Sequence, residues 1–437
     1  MKTLFAVVFL VASVGSVAGD VLPLGADAAV ELALQASDRR DAASARVAAA
    51  GQQVVAADAR RLPTLDLEAS VAHRSAVPPE AFPADVPGVG GFVLFPNIQN
   101  TYRAGVVVTQ PVWTGGAISG DREAARHEEA AATAEAARVD DDLRYEARIA
   151  YWSAVAADAA LDAARSEAER AARLLDDARA LRDAGMAVRA DELGAAARLA
   201  AARVRVIDAE AEAANRRAAL RSLLDLPPQT DLELTDRGER LPAEPHAIEP
   251  LIADALTTRP EVVALTARRD ALASRSETVA APNRPQVSLD ARWDVARPNE
   301  RYLPLSDEWN TSWSVGLFAR WRVFDGHRTG SEVAVIRAEQ AAVEADLAEF
   351  ERRIALDVDT ARRSLEAALA ADSAAAAAVE AAAAREADSR DRYTAGIGTV
   401  SDVLDAQSEL ADAELALVRA SSGAWIADAG LRRAVGR

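Results

Sequence analysis

Two rhythms of apolar and polar positions run along this chain. The first has period two, the period of a β-strand. In residues 65–71, Leu65, Leu67, Ala69 and Val71 alternate with Asp66, Glu68 and Ser70. A second stretch sets Tyr102, Ala104, Val106 and Val108 against Arg103, Gly105, Val107 and Thr109, a weaker alternation. The third is cleanest: Val287, Leu289, Ala291, Trp293 and Val295 against Ser288, Asp290, Arg292 and Asp294. The fourth puts Trp313, Val315, Leu317, Ala319, Trp321 and Val323 against Ser314, Gly316, Phe318, Arg320 and Arg322. Strands are predicted over about 63–73, 102–113, 285–296 and 311–324.

The second rhythm is helical. Helices are expected over about 26–60 and 250–280, and far longer ones over about 116–225 and 331–434, each pair of long helices broken once by a glycine-rich turn. From Gly116 to about Leu181 no proline interrupts the chain, and that many residues at 1.5 Å each span roughly 100 Å. Near the C-terminus Val403, Leu410, Leu417 and Ala424 form one row, and Ala406, Ala413 and Ala420 the other. Large residues facing small ones suit close antiparallel packing.

The chain is duplicated. Gly105 and Gly316, Gly115 and Gly326, Gly185 and Gly396, Arg126 and Arg337, Asp191 and Asp402, and Leu193 and Leu404 each lie 211 residues apart. Earlier in each half the spacing is 222, pairing Pro63 with Pro285 and Leu67 with Leu289. The shift falls between the strands, where a loop can absorb it. The implied organisation is a segment 1–18, a first repeat 19–225, a linker 226–249 rich in proline and charge, and a second repeat 250–437.

Composition narrows the setting. Lys2, the only lysine, precedes an apolar run and the small residues Ser16 and Ala18, the pattern of a secretory signal peptide. No apolar stretch of 18 or more residues is expected after it, and so no helix that holds the chain in a membrane. There are no cysteines, which leaves disulfides, thiol catalysis and a lipidated cysteine anchor out. The net charge is -18 with arginines interspersed among acids, so a nucleic-acid backbone is not an expected partner. His73, His127, His246 and His327 are scattered without ligand spacing, and no nucleophile elbow or phosphate loop is present. No enzyme, metal or cofactor is expected.

Strands of this length fit a tilted bilayer crossing. The period alone also fits a soluble sheet with one wet face. An exported chain favours the membrane reading, with the apolar row toward lipid and the polar row toward a wet lumen. Trp113, Trp293, Trp309, Trp313 and Trp321, in or beside the strands, would then serve as membrane-interface aromatics. Four strands are too few to close a barrel, since the smallest single-chain barrels have about eight. Cyclic assembly of three chains would give twelve.

The two hairpin turns carry the most specific signal: LRDAGMAVRADELGAA at 181–196 and RYTAGIGTVSDVLDAQ at 392–407. With the corners TQPVWTGG (109–116) and RVFDG (322–326), they resemble the TolC-like outer-membrane efflux proteins of Gram-negative bacteria. The family's Y-x-x-G-x-x-x-x-x-D-V-L-x-A pattern is met by Tyr393, Gly396, Asp402, Val403, Leu404 and Ala406. The resemblance covers nearly the whole chain after the signal segment. It implies a membrane α/β fold: a homotrimer with a twelve-stranded outer-membrane β-barrel continued by a periplasmic α-helical barrel. It further implies a passive exit duct for tripartite efflux or type I secretion, working with a periplasmic adaptor and an inner-membrane pump of RND, ABC or MFS type.

By the same resemblance, Asp402 and Asp405 would form acidic rings at a periplasmic gate, and Tyr393 with Asp191 would form a latch. The arginine of a second latch is replaced by Gly398. Adaptor tips would meet Gly185-Met186-Ala187 and Gly396-Ile397-Gly398. On residue types alone, the two aspartates also read as helix-start acids favoured by the helix dipole. Two other classes compete. A structural coiled-coil protein of the cell envelope would need no alternating strands, and a periplasmic adaptor would lack the second copy.

Overall fold

The computed structural model describes residues 21–76, 96–236, 240–242 and 247–437. The expected signal segment, most of the first inter-strand loop and His246 lie outside them. The elements in order are β1 (Val21–Leu24), α1 (Ala26–Ala36), α2 (Asp38–Ala59), β2 (Thr64–His73), β3 (Asn100–Trp113), α3 (Ala117–Asp183), α4 (Arg189–Leu223), β4 (Asp231–Leu234), α5 (Ile248–Thr258), α6 (Pro260–Ala280), β5 (Gln286–Arg297), β6 (Asn310–Arg320), α7 (Arg328–Thr394) and α8 (Val400–Val435). The helix–strand–strand–hairpin order therefore occurs twice. The chain packs as two units, and each draws on both halves of the sequence.

One unit comprises residues up to Ala42, Ala137–Pro260 and Glu351–Arg437. Its main core is built from α1, α3, α4 and two short strands: Leu24, Ala29, Ala33, Leu143, Tyr151, Trp152, Leu220 and Leu234 are all buried. β1 and β4 pair in parallel, Val21 with Asp231 through Leu24 with Leu234. The sequence reading placed a linker at β4 and no strand at either position. Four-residue strands carry too little periodicity to be read, and only their tertiary pairing defines them. Tyr151 sits at the centre, donating to Leu24 O at 3.1 Å and accepting from the Asp236 amide at 3.3 Å. Burial pushes its phenol up to about 12. Trp152 stacks on Trp425 at 4.4 Å and 7°.

The other unit comprises Ala43–Ala136 and Glu261–Phe350. It holds a four-stranded antiparallel sheet in the order β2-β3-β5-β6. The register aligns chemistry across the strands. Leu67, Val106, Trp293 and Trp313 form one cross-strand row, and Leu65, Val108, Ala291 and Val315 another. The opposite face carries Asp66, Val107, Arg292 and Ser314, then Glu68, Gly105, Asp294 and Ser312. Arg292 bridges to Glu68 at 3.0 Å on that polar face. Gly105 and Gly316, one repeat apart, each stand opposite an aspartate of β5, Asp294 and Asp290. At Gly105 the fit is tight: a Cβ would lie 2.8 Å from Trp293 O.

Strand-to-helix corners repeat as well. Gly115 (φ 66°) and Gly326 (φ 69°) both take the left-handed conformation, which glycine adopts without steric cost. Thr114 Oγ1 then accepts the Ile118 amide, and Asp325 Oδ2 accepts the Thr329 amide, so each long helix starts with a side-chain cap.

Three expectations need correction. The first helix of each half is split, at Ser37 (ψ 113°) and at Arg259 (ψ 122°). Arg259 precedes Pro260, and a residue before proline is pushed toward extended backbone, while proline suits the first helical position. The fourth strand ends at Arg320, because β5 begins at Gln286 and offers no partner beyond it. Finally, α7 contains an 18-residue window of mean hydropathy 1.3. Its apolarity comes from alanine rather than large side chains, so a search for uninterrupted apolar runs passes over it.

Candidate functional site: the hairpin tips

Both helical hairpins turn through the same backbone device. At the first, Met186 N–H donates to Leu181 O at 2.8 Å and Gly185 N–H to Arg182 O at 2.9 Å. At the second, Ile397 N–H donates to Arg392 O at 3.0 Å and Gly396 N–H to Tyr393 O at 3.0 Å. These paired bonds are the Schellman termination, which needs a left-handed residue at the glycine. The turns expose one apolar side chain each: Met186 is 69% and Ile397 79% accessible. Ala187, beside the exposed Met186, is half-buried.

Helix α8 opens with a capping box. Thr399 Oγ1 accepts the Asp402 amide at 3.3 Å, and Asp402 Oδ2 accepts the Thr399 amide at 3.1 Å. The Thr399 hydroxyl also donates to Asp402 Oδ2 at 2.7 Å. These bonds hold the Asp402 carboxyl below the usual carboxylate range, with Arg392 and Arg385 adding to the effect. Asp402 is therefore a helix-start acid as well as a gate candidate, and the sequence reading weighed the two roles as rivals. Asp405 is exposed one turn later on the same helix. Asp191 holds the equivalent place in α4 and accepts the Val188 amide at 3.2 Å. Val188 has no side-chain oxygen to complete the box.

Tyr393 is only 5% accessible. It packs with Leu174, Leu175, Ala178, Ala195, Leu199, Val400 and Val403, so residues of α3, α4, α7 and α8 meet around it. Its hydroxyl has no hydrogen-bond partner among the described residues. Burial raises its phenol above the ordinary value, and the charges of Asp191 and then Asp177 raise it further. The expected Tyr393–Asp191 link is an electrostatic relation without a hydrogen bond: the Asp191 charge raises the phenol, but the hydroxyl has no partner among the described residues.

Gly398 closes on the preceding helix end. A Cβ there would lie 3.0 Å from Tyr393 N and 3.1 Å from Arg392 Cβ. This turn has little room for the arginine that the resemblance implies at that position. Leu404 instead reaches across to Gly194, where a Cβ would touch its methyl at 3.8 Å. A bidentate pair, Arg170 to Glu414 at 3.1 and 2.7 Å, ties α3 to α8 further from the turns.

The tryptophans of the sheet fall into three places. Trp113 ends β3, and Trp321 follows β6, its indole donating to Asn283 O at 3.1 Å. Trp309 precedes β6 and packs against Tyr102 at 5.9 Å, near the opposite end of the strands. Trp293 and Trp313 face each other within the sheet. The sequence reading missed the Tyr151–Trp152–Trp425 cluster of the other unit. Two adjacent aromatics in a chain with only 5% aromatic residues were the available signal.

The family profile described as outer membrane efflux protein matches residues 29–225 and 251–437. No curated protein sequence matches. Among solved structures, the outer-membrane channel OprN aligns with a TM-score of 0.76 at 24% identity, covering 94% of this chain and 89% of that one. The outer membrane protein VceC from Vibrio cholerae aligns at 0.77 and 21%, covering 94% and 96%. The open-state MtrE outer membrane channel of Neisseria gonorrhoeae aligns at 0.76 and 19%, covering 94% and 88%. The duplicated sheet-and-hairpin order and a profile spanning both repeats lead to one assignment: this chain belongs to the outer membrane efflux protein family.

Proposed function

We propose that this protein is the passive exit duct of a tripartite efflux or type I secretion system, a homotrimer closed at its periplasmic tip. Family membership puts the chain in the outer membrane of a Gram-negative cell, with its helical part in the periplasm. The observation that carries the duct reading is the register of the sheet. It aligns a mainly apolar face, with Leu67 79% and Leu317 68% accessible, against a mainly polar face. Its outer strands, β2 and β6, close no ring within the protomer. In lipid an open edge leaves backbone groups unpaired. Three copies joined edge to edge give twelve strands, a lipid-facing exterior and a wet lumen. Trp113, Trp321 and Trp309 then fall toward the two interfaces.

At the tip, three copies of Asp402 and Asp405 make two acidic rings that favour cations. The capping bonds on Asp402 support this role, because they keep its carboxylate ionised. The exposed tips at Met186 and Ile397 suit docking by a periplasmic adaptor, which in turn would recruit an inner-membrane pump. Nothing in this reading requires a catalytic group or a cofactor.

Single-channel recording of the purified protein in a planar bilayer tests the proposal. The expected result is a small cation-selective current, blocked by a trivalent cation on the tip side, with the block released by Asp402→Ala with Asp405→Ala. A folded oligomer that never conducts would overturn it.

A further inference from the structure

Helices α3 and α8 run antiparallel in the unit built around Tyr151, and a gap lies between them. At one end Trp152 of α3 stacks on Trp425 of α8 at 4.4 Å. At the other, Arg170 of α3 donates to Glu414 of α8 at 3.1 and 2.7 Å. Between these two large contacts the facing residues are small. Ala156 and Ala159 follow Trp152 by one and two turns of α3, and Ser421 and Ser422 precede Trp425 by one turn of α8. Side chains at the contact set the distance between packed helices, so large props at both ends leave the small middle unfilled. The result is a cavity of about 240 Å³, whose apolar lining is completed by Val155, Leu417, Val418 and Ala376 of α7. Trp152 and Val155 are buried and the other lining residues of α3, α7 and α8 half-buried, so the cavity reaches the surface of the unit.

Asp236 and Arg240 line it too. Both are engaged within the protein. The two oxygens of Asp236 accept the Ala26 amide and the Thr235 hydroxyl. Arg240 Nε donates to Asp372 at 2.7 Å, and the other oxygen of that buried carboxylate accepts the Ser421 hydroxyl. An ion entering the cavity would shed its water and gain no partner that is not already shared. An apolar molecule loses nothing there. An apolar cavity of about 150 Å³ stays dry and takes one benzene; this one is larger by about another fused ring and has a pair of parallel indoles in its wall.

We propose that the cavity binds a neutral, planar aromatic molecule of two fused rings, held against the Trp152–Trp425 pair. The site needs only the α3–α8 seam and does not depend on the duct reading. An occupant fills the space between the two props and stabilises the folded unit by mass action.

The test titrates the purified full-length oligomer with 1-fluoronaphthalene and follows it by fluorine NMR and by thermal midpoint. A bound resonance should separate from the detergent-dissolved one, and the midpoint should rise with ligand concentration. Fluorobenzene, which buries one ring fewer, and the anion 4-fluoro-1-naphthoate should each bind more weakly by about tenfold or more. Ala156→Leu and Ala376→Leu fill the cavity from different helices, and each should abolish the bound resonance while the oligomer and its helical content stay intact. A further readout needs no filled variant. 1-Bromonaphthalene should quench Trp152 and Trp425 on contact, and that quenching, taken as the difference from Trp152→Phe with Trp425→Phe, should saturate. Undiminished binding in both filled variants, or quenching that grows without saturating, is partition into detergent only and overturns the proposal. The absence of any bound resonance overturns it as well, including the case in which a second copy of the chain covers the cavity in the oligomer. Tighter binding of the naphthoate than of the neutral ring overturns the ligand class.

Discussion

Gly185 and Gly396 have the same backbone, with φ of 76° and 75°, although 211 residues separate them. Each terminates a 67-residue helix through the same pair of amide-to-carbonyl bonds. Nothing lies within 4 Å of a Cβ built at either position. Replacement by alanine should therefore cost only the left-handed backbone, about 1 kcal/mol each. At Gly115, with the same sign of φ, a Cβ would fall 2.8 Å from Arg284 Cβ and 2.9 Å from Ala281 O. Gly115→Ala should cost clearly more than either tip substitution. Denaturant unfolding of the three variants checks the order.

The Thr399–Asp402 box makes the start of α8 sensitive to sequence and to acid. Thr399→Ala should destabilise the second tip by about 1 kcal/mol, seen as faster amide exchange over the first turn of α8. The bonds from Thr399 lower the Asp402 carboxyl in the folded protein below the ordinary carboxylate value. Its contribution is therefore present above that value and is lost as pH falls through the lower folded value. Acid loosening of the tip should begin below about pH 4, and Asp402→Asn should remove that part of the pH dependence.

The two faces of the sheet should respond oppositely to charge. Leu317 and Ser314 lie on opposite faces of β6. If the apolar face meets lipid, Leu317→Arg should cost about 2–4 kcal/mol near mid-bilayer and lower the yield of folded protein in vesicles. Ser314→Arg, on the polar face, should insert normally and alter only conductance or selectivity. Equal behaviour of the two would contradict a lipid-facing apolar row.

The Trp152–Trp425 stack should be a main support of its unit. Trp152 is 4% accessible within the principal core, so Trp152→Ala should cost about 3–5 kcal/mol. A double-mutant cycle with Trp425→Ala should show a coupling of about 1 kcal/mol, the value of a well-placed aromatic pair.

The sequence determined the elements and their repetition. Period-two alternation marked four strands, proline-free alanine-rich tracts marked the long helices, and glycines at one fixed spacing marked equivalent turns. Those signals are local, or are copies of one another, and so survive without knowledge of contacts. Tertiary structure decided what has no local signature. Pairing alone turned residues 21–24 and 231–234 into strands. Cross-strand register alone aligned Leu67, Val106, Trp293 and Trp313 on one face, because shifting a strand by one residue would reverse every side chain. At the tip, the resemblance named Tyr393, Asp191 and Asp402, and paired the first two, but not the groups that Asp402 and Asp191 bond. Side-chain packing sent Asp402 to Thr399 and one oxygen of Asp191 to Val188, and buried the Tyr393 hydroxyl without a hydrogen-bond partner among the described residues. Spacing along one helix cannot report which side chains a neighbouring helix packs against it.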